Sequence, residues 1–171
     1  ERFSGNVRSE NQVPLYPQIS GTVEQVFVRN GQYVEKGEKL VQLNTDVLQK
    51  QLQQAEAGYK INNAQLKQSK AQLAEVQSEF KRTKQLEEKD LTSDVEVEQI
   101  EAQLLSAEAN VELAEARLEQ AASLVEERRD ELDKAVIRAP ISGTVGQRNA
   151  EIGMQANTGT QLFLIGDLTK L

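Results

Sequence analysis

Cysteine, histidine and tryptophan are all missing from this 171-residue chain. Without cysteine there is no disulfide framework, thiolate metal site or thiol nucleophile. That absence suits the periplasm and the cytosol alike. Without histidine the commonest general base and the commonest zinc ligand are gone. Carboxylates alone can run catalysis, yet no catalytic, cofactor-binding or metal-binding residue stands out, and the expectation is a protein that is not an enzyme. The other aromatics are scarce as well, with four Phe and three Tyr. No apolar run approaches the ~18 residues of a membrane span. The net charge of −7 comes with no Lys/Arg block interleaved with aromatics, so nucleic acid is not an expected partner. The chain starts at Glu1 without a basic and apolar leader and stops at Leu171 just after an apolar run, which reads as a piece cut from a larger protein.

Gly and Pro are unevenly spread. Between Tyr59 and Ser142 there is no glycine and the only proline is Pro140, so helix breakers are lacking over about 80 residues. Two 4-3 apolar repeats fill the gap. The first runs Leu48, Leu52, Ala55, Tyr59, Asn62, Leu66, Ser69, Leu73, Val76, Phe80, Thr83. The second runs Val97, Ile100, Leu104, Ala107, Val111, Ala114, Leu118, Ala121, Val125, Arg128, Leu132, Ala135. Such regularity over more than three heptads is what a coiled-coil seam requires. Small residues alternate with large ones along it, which lets two helices approach closely. The expectation is an antiparallel hairpin over 45–137, each helix about 63 Å long at 1.5 Å per residue, with its tip near 89–92. Asn44 or Thr45 would cap the first helix. Ser93 and Glu96 have the spacing of a capping box for the second. Asn62, polar within the seam, would fix register. Residues 46–88 hold six acidic and seven basic side chains and residues 94–137 thirteen and four, so the helices would attract modestly.

The hairpin interrupts a repeat. Residues 19–43 reappear without a gap as 141–165, with nine of 25 positions identical: Ile19, Ser20, Gly21, Thr22, Val23, Gln25, Gly31, Gly37 and Leu40. The glycines return as Gly143, Gly153 and Gly159. Neither ~25-residue half can bury a core alone, so both must close one β-module, expected over 13–44 plus 138–166. Asn30-Gly31 suits a type I′ hairpin turn. The second half is more polar at Gln147, Arg148 and Asn149, which makes its middle strand the weakest expectation. Residues 1–12 and 167–171 read as edges of an adjoining domain.

The pattern Gly-x-Val, then Gly31, Gly37 and Leu40, resembles a half-motif of biotinyl/lipoyl domains. In carrier domains of that kind a tight turn bearing the modified lysine joins the halves; here a ~90-residue helical insert takes its place. Lys36 and Lys39 lie near a strand turn, not in that link, so a lipoyl or biotin carrier is the remote alternative and no cofactor is expected. With the segment Arg138-Ala139-Pro140-Ile141-Ser142-Gly143-Thr144-Val145, the arrangement resembles the periplasmic adaptors, or membrane fusion proteins, of tripartite efflux pumps. The fold class so implied is α+β: a lipoyl-like β-sandwich formed by two sequence halves and interrupted by a long antiparallel α-helical hairpin, a coiled coil.

That resemblance implies a place and partners: the periplasm, anchored to the inner membrane through segments outside this chain, between an RND-type transporter and an outer-membrane channel of the TolC type, as a homo-oligomer with six adaptors per pump. An ABC exporter or type I secretion system is the alternative setting. Many such adaptors dock through an Arg, a Leu four residues on and a Ser seven beyond that. Arg82, Leu86 and Ser93 have this spacing, and Leu86 lies off the 4-3 seam. The bland readings are a solvated arginine, a leucine finishing the tip's small core, and a serine that only caps a helix.

Overall fold

Glycine and β-branched residues at matched places in the two halves give matched strands. In the computed structural model, which describes residues 12–166, the first half forms β1 (Gln12–Leu15), β2 (Gly21–Val26), β3 (Tyr33–Val34) and β4 (Lys39–Leu43). Two helices follow, α1 (Asp46–Glu87) and α2 (Asp94–Lys134), and the second half gives β5 (Val136–Arg138), β6 (Gly143–Arg148), β7 (Gln155–Ala156) and β8 (Phe163–Gly166). The described residues fall into two units, one of residues 12–50 with 129–166 and one of 51–128. The expected edge segments 1–12 and 167–171 lie outside the described residues, apart from Gln12.

The β-unit interlocks its halves. One sheet has the order β1-β8-β6-β3 and the other β5-β4-β2-β7, so each sheet takes its central pair from one half and its two outer strands from the other. The repeat is kept down to register. Val23 pairs Leu43 and Val145 pairs Ile165, and a bulge follows at the same place in each ladder, before Gln25 and before Gln147. Bulges sharpen twist and bend the strand; a matched pair lets both sheets wrap one core. Val23 N–H donates to Met154 O and Val23 O accepts from Gly153 N–H, both at 2.8 Å, while Val145 makes the same two bonds with Gln32 and Gly31. The shared core contains Val23, Leu40 and Leu43 from one sheet and Val34, Val145, Phe163 and Ile165 from the other. Strand β6 runs through the polar Gln147 and Arg148, the first exposed and the second half-buried; β8 pairs with this end, while β3 pairs only at Gly143 and Thr144.

The turn expected at Asn30-Gly31 is corrected in both pairing and type. No hairpin joins β2 to β3, because β3 pairs with β6 across the halves. Gly31 alone has positive φ (+80°) in the Arg29–Gln32 turn, where type I′ also needs it at Asn30. Gly143 is required for a different reason. A Cβ there would lie 2.8 Å from Gly166 O and 3.0 Å from Ile165 Cγ2, so β8 approaches too closely for any side chain.

Along the helices the 4-3 seam is buried or half-buried at every expected position except Tyr59. Leu66, Val111 and Ala114 form one cluster, bordered by Leu73 and Leu118. Val76, Ile100 and Ala107 form the next, with Phe80 and Leu104 at its edge. Lys70 Nζ reaches Glu115 Oε1 at 2.9 Å and Lys84 Nζ reaches Glu101 Oε1 at 3.2 Å. Fourteen residues forward on α1 match fourteen back on α2, which makes the pair antiparallel in constant register. Asn62 does not fix that register: its Nδ2 donates to Gly58 O, one turn back on its own helix. Helix α2 stops at Lys134, short of the expected 137, because Val136 and Ile137 pair with β4 and Ala135 joins the β-unit core. Leu104→Ala is expected to cost about 2 kcal/mol, the low end for leucine truncation because Leu104 is only half-buried. Loss of urea resistance in the helical signal checks it.

Candidate docking site at the hairpin tip

Helix α1 has no glycine with which to end, and it ends nonetheless in a Schellman motif. Leu91 N–H donates to Leu86 O and Asp90 N–H to Glu87 O, both at 2.9 Å. The residue in the left-handed conformation is Asp90, at φ +56°. Aspartate tolerates this better than most residues, though less well than glycine. The motif sets Leu86 and Leu91 at the two positions whose apolar side chains usually meet, and both stay exposed, at 43% and 68%. Asp90→Gly is therefore expected to stabilise the tip, by at most about 1 kcal/mol. Slower hydrogen exchange of the Leu91 amide is the readout.

Ser93 begins the return. Its Oγ accepts from Glu96 N–H at 3.3 Å and its carbonyl from Val97 N–H at 3.2 Å, so it caps α2. The capping box departs from expectation in its reciprocal half, since the Glu96 carboxylate takes the Thr92 hydroxyl at 2.7 Å. At the other end of α1, Asn44 Oδ1 accepts from Asp46 N–H and Thr45 O from Gln49 N–H, so both candidates contribute to that cap.

Arg82 and Leu86 sit one turn apart on α1, both exposed and outside the two apolar clusters. Ser93 is exposed too, on the far side of the turn that Leu86 and Leu91 close. A guanidinium, an apolar side chain and a hydroxyl therefore share one tip. Arg82 offers five donors in a fixed fork, suited to carbonyls or carboxylates.

Between Arg82 and Leu86 lies a residue that sequence reasoning passed over. Lys84 Nζ is 3.0 Å from Glu87 Oε2, 3.2 Å from Glu101 Oε1 and 5.7 Å from the centre of the Phe80 ring. The hydrogen bond to Glu87, then that to Glu101, hold its pKa above the ordinary lysine value. Asp90 and Leu91 were missed as well. The signal available was a pair of leucines five apart with an aspartate just before the second.

Among the described residues no group of three or more His, Cys, Asp or Glu is placed to hold a metal ion. Lys39 opens β4 opposite Arg138, and the Lys36 backbone donates to Ser142 Oγ at 2.9 Å. Lys36 thus lies in the turn between β3 and β4 and Lys39 at the start of β4, while the link between the halves is the helical pair.

A family model described as "RND MFP, barrel-sandwich hybrid domain" matches residues 11–168, the β-unit and the whole hairpin together. The chain belongs to this family. As a membrane fusion protein it superposes on MacA from Actinobacillus actinomycetemcomitans with a TM-score of 0.88 at 26% identity, covering 95% of this chain and 51% of that one. A putative efflux transporter from Bacteroides eggerthii matches with a TM-score of 0.63 at 21% identity over 94% of this chain and 41% of that one, a likeness of fold. An uncharacterized protein of Haemophilus influenzae is 46% identical over 54 residues, 32% of this chain and 14% of that protein. The chain thus spans about half or less of the length of each of these three proteins. No helix of the described residues is long and apolar enough to cross a membrane.

Proposed function

We propose that this membrane fusion protein is the periplasmic adaptor of a tripartite efflux pump, with the tip of its hairpin docking on an outer-membrane channel of the TolC type. The observation that carries the reading is the tip itself. It exposes Arg82, Leu86 and Ser93 without using any of them in the hairpin's apolar clusters. Arg82 would bond to carbonyls or carboxylates at the channel rim, and Leu86 would bury apolar area in a groove between channel helices. Ser93 would cap α2 and keep the contact small. The β-units would pack side by side in a ring of six adaptors, and anchoring to the inner membrane would come from segments outside this chain.

At the inner membrane the family description favours an RND-type transporter, and an ABC exporter is the other occupant of that place. Affinity purification of the full-length protein from crosslinked cells tests the reading. A channel and a transporter should both be recovered, and the transporter's sequence assigns its class. Recovery of neither would overturn the adaptor reading.

A further inference from the structure

We propose that Lys84 is a positioning residue for docking: its clasp onto Glu101 fixes the rotation of the last turn of α1, so that Arg82 and Leu86 face outward. The inference rests on the tip being the docking surface. Residues of an α-helix follow one another at about 100°. Lys84 is therefore about 160–200° from both Arg82 and Leu86, on the side that Phe80 and the half-buried Thr83 turn toward α2. Apolar packing on α1 reaches only to Phe80 in the last cluster. Beyond it the last turn is tied across to α2 by the Lys84–Glu101 pair, with the lysine also held by Glu87 and lying over the Phe80 ring.

An exposed ion pair adds little to stability, but orientation needs only one preferred rotation over its neighbours. The hairpin contains its own control. Lys70 and Glu115 make the same kind of bridge beside the Leu66–Leu73 packing, where apolar contacts already set the rotation.

The test uses full-length protein in cells and resistance to a panel of antibiotics and dyes. Lys84→Glu and Glu101→Lys should each bring resistance close to that of cells lacking the gene, and the double swap should restore it. Lys84→Met keeps the stem over Phe80 but loses the clasp, and should also lose resistance. Lys70→Glu should change nothing. Spin labels at Gln85→Cys and Glu98→Cys should show a broadened distance distribution with Lys84→Glu while helical content stays constant; this chain has no cysteine of its own to interfere. Unchanged resistance in both single reversals, beside an inactive Arg82→Asp/Leu86→Asp protein, would overturn the clasp alone. Equal damage from Lys70→Glu would do so too, since it would mark a general stability effect. Full resistance of the Arg82→Asp/Leu86→Asp protein would remove the docking reading itself.

Discussion

Cells whose only copy of the full-length protein carries Arg82→Asp together with Leu86→Asp are expected to lose efflux completely, at unchanged protein level and helical content. Both positions are exposed and outside the apolar clusters, so the packing between the helices loses nothing from either change. Docking has much to lose. The first substitution removes a five-donor fork and puts a charge of opposite sign in its place. The second puts a carboxylate where apolar area should enter a groove, and burying an unpaired charge costs several kcal/mol. Ser93→Ala should act more weakly and through another route, since loss of a cap costs about 1 kcal/mol on its own. Drug susceptibility with parallel circular dichroism measures all three. Wild-type resistance in the double mutant would mean that the tip does not dock through these residues.

Phe163→Ala should have the largest effect on stability, about 3–5 kcal/mol. Phe163 is fully buried where the two sheets close on one another, and its strand β8 pairs on both sides, with β1 and β6. A typical domain has only about 5–15 kcal/mol to lose. Urea unfolding of the β-unit should therefore shift to a clearly lower midpoint. A loss below about 1 kcal/mol would show that Phe163 does not fill the core that both halves share.

Much of this architecture was written in periodicity. Twelve positions from Val97 to Ala135 announced a seam because a 3.5-residue repeat has few other uses, and the repeat from Ile19 announced a second copy at Ile141. The interlock was hidden. β3 and β7 are two residues long, and their choice of the opposite half depends on contacts more than a hundred residues away in sequence. β1 and β5 also hold equivalent places, Leu15 opposite Phe163 and Ile137 opposite Val41, without sharing sequence outside the repeat. At the tip, the resemblance to periplasmic adaptors pointed to Arg82, Leu86 and Ser93, and all three are exposed. Asp90 was not, because a left-handed position normally advertises itself as glycine. Nor was the Lys84–Glu101 pair, since which residues face each other across a hairpin depends on how many residues the turn uses.

The central claim is contact between this tip and a channel, and one measurement addresses it without assuming any drug. A photo-crosslinking amino acid placed at Leu91 in the full-length protein sits in the exposed turn beside Leu86, at a position the docking set does not use. The same group at Gln68, on the exposed middle of α1, is the comparison. Irradiation of intact cells should yield an adduct with an outer-membrane channel protein from Leu91 and none from Gln68. Absence of that adduct from Leu91, in cells where the labelled protein still supports efflux, would contradict the docking account.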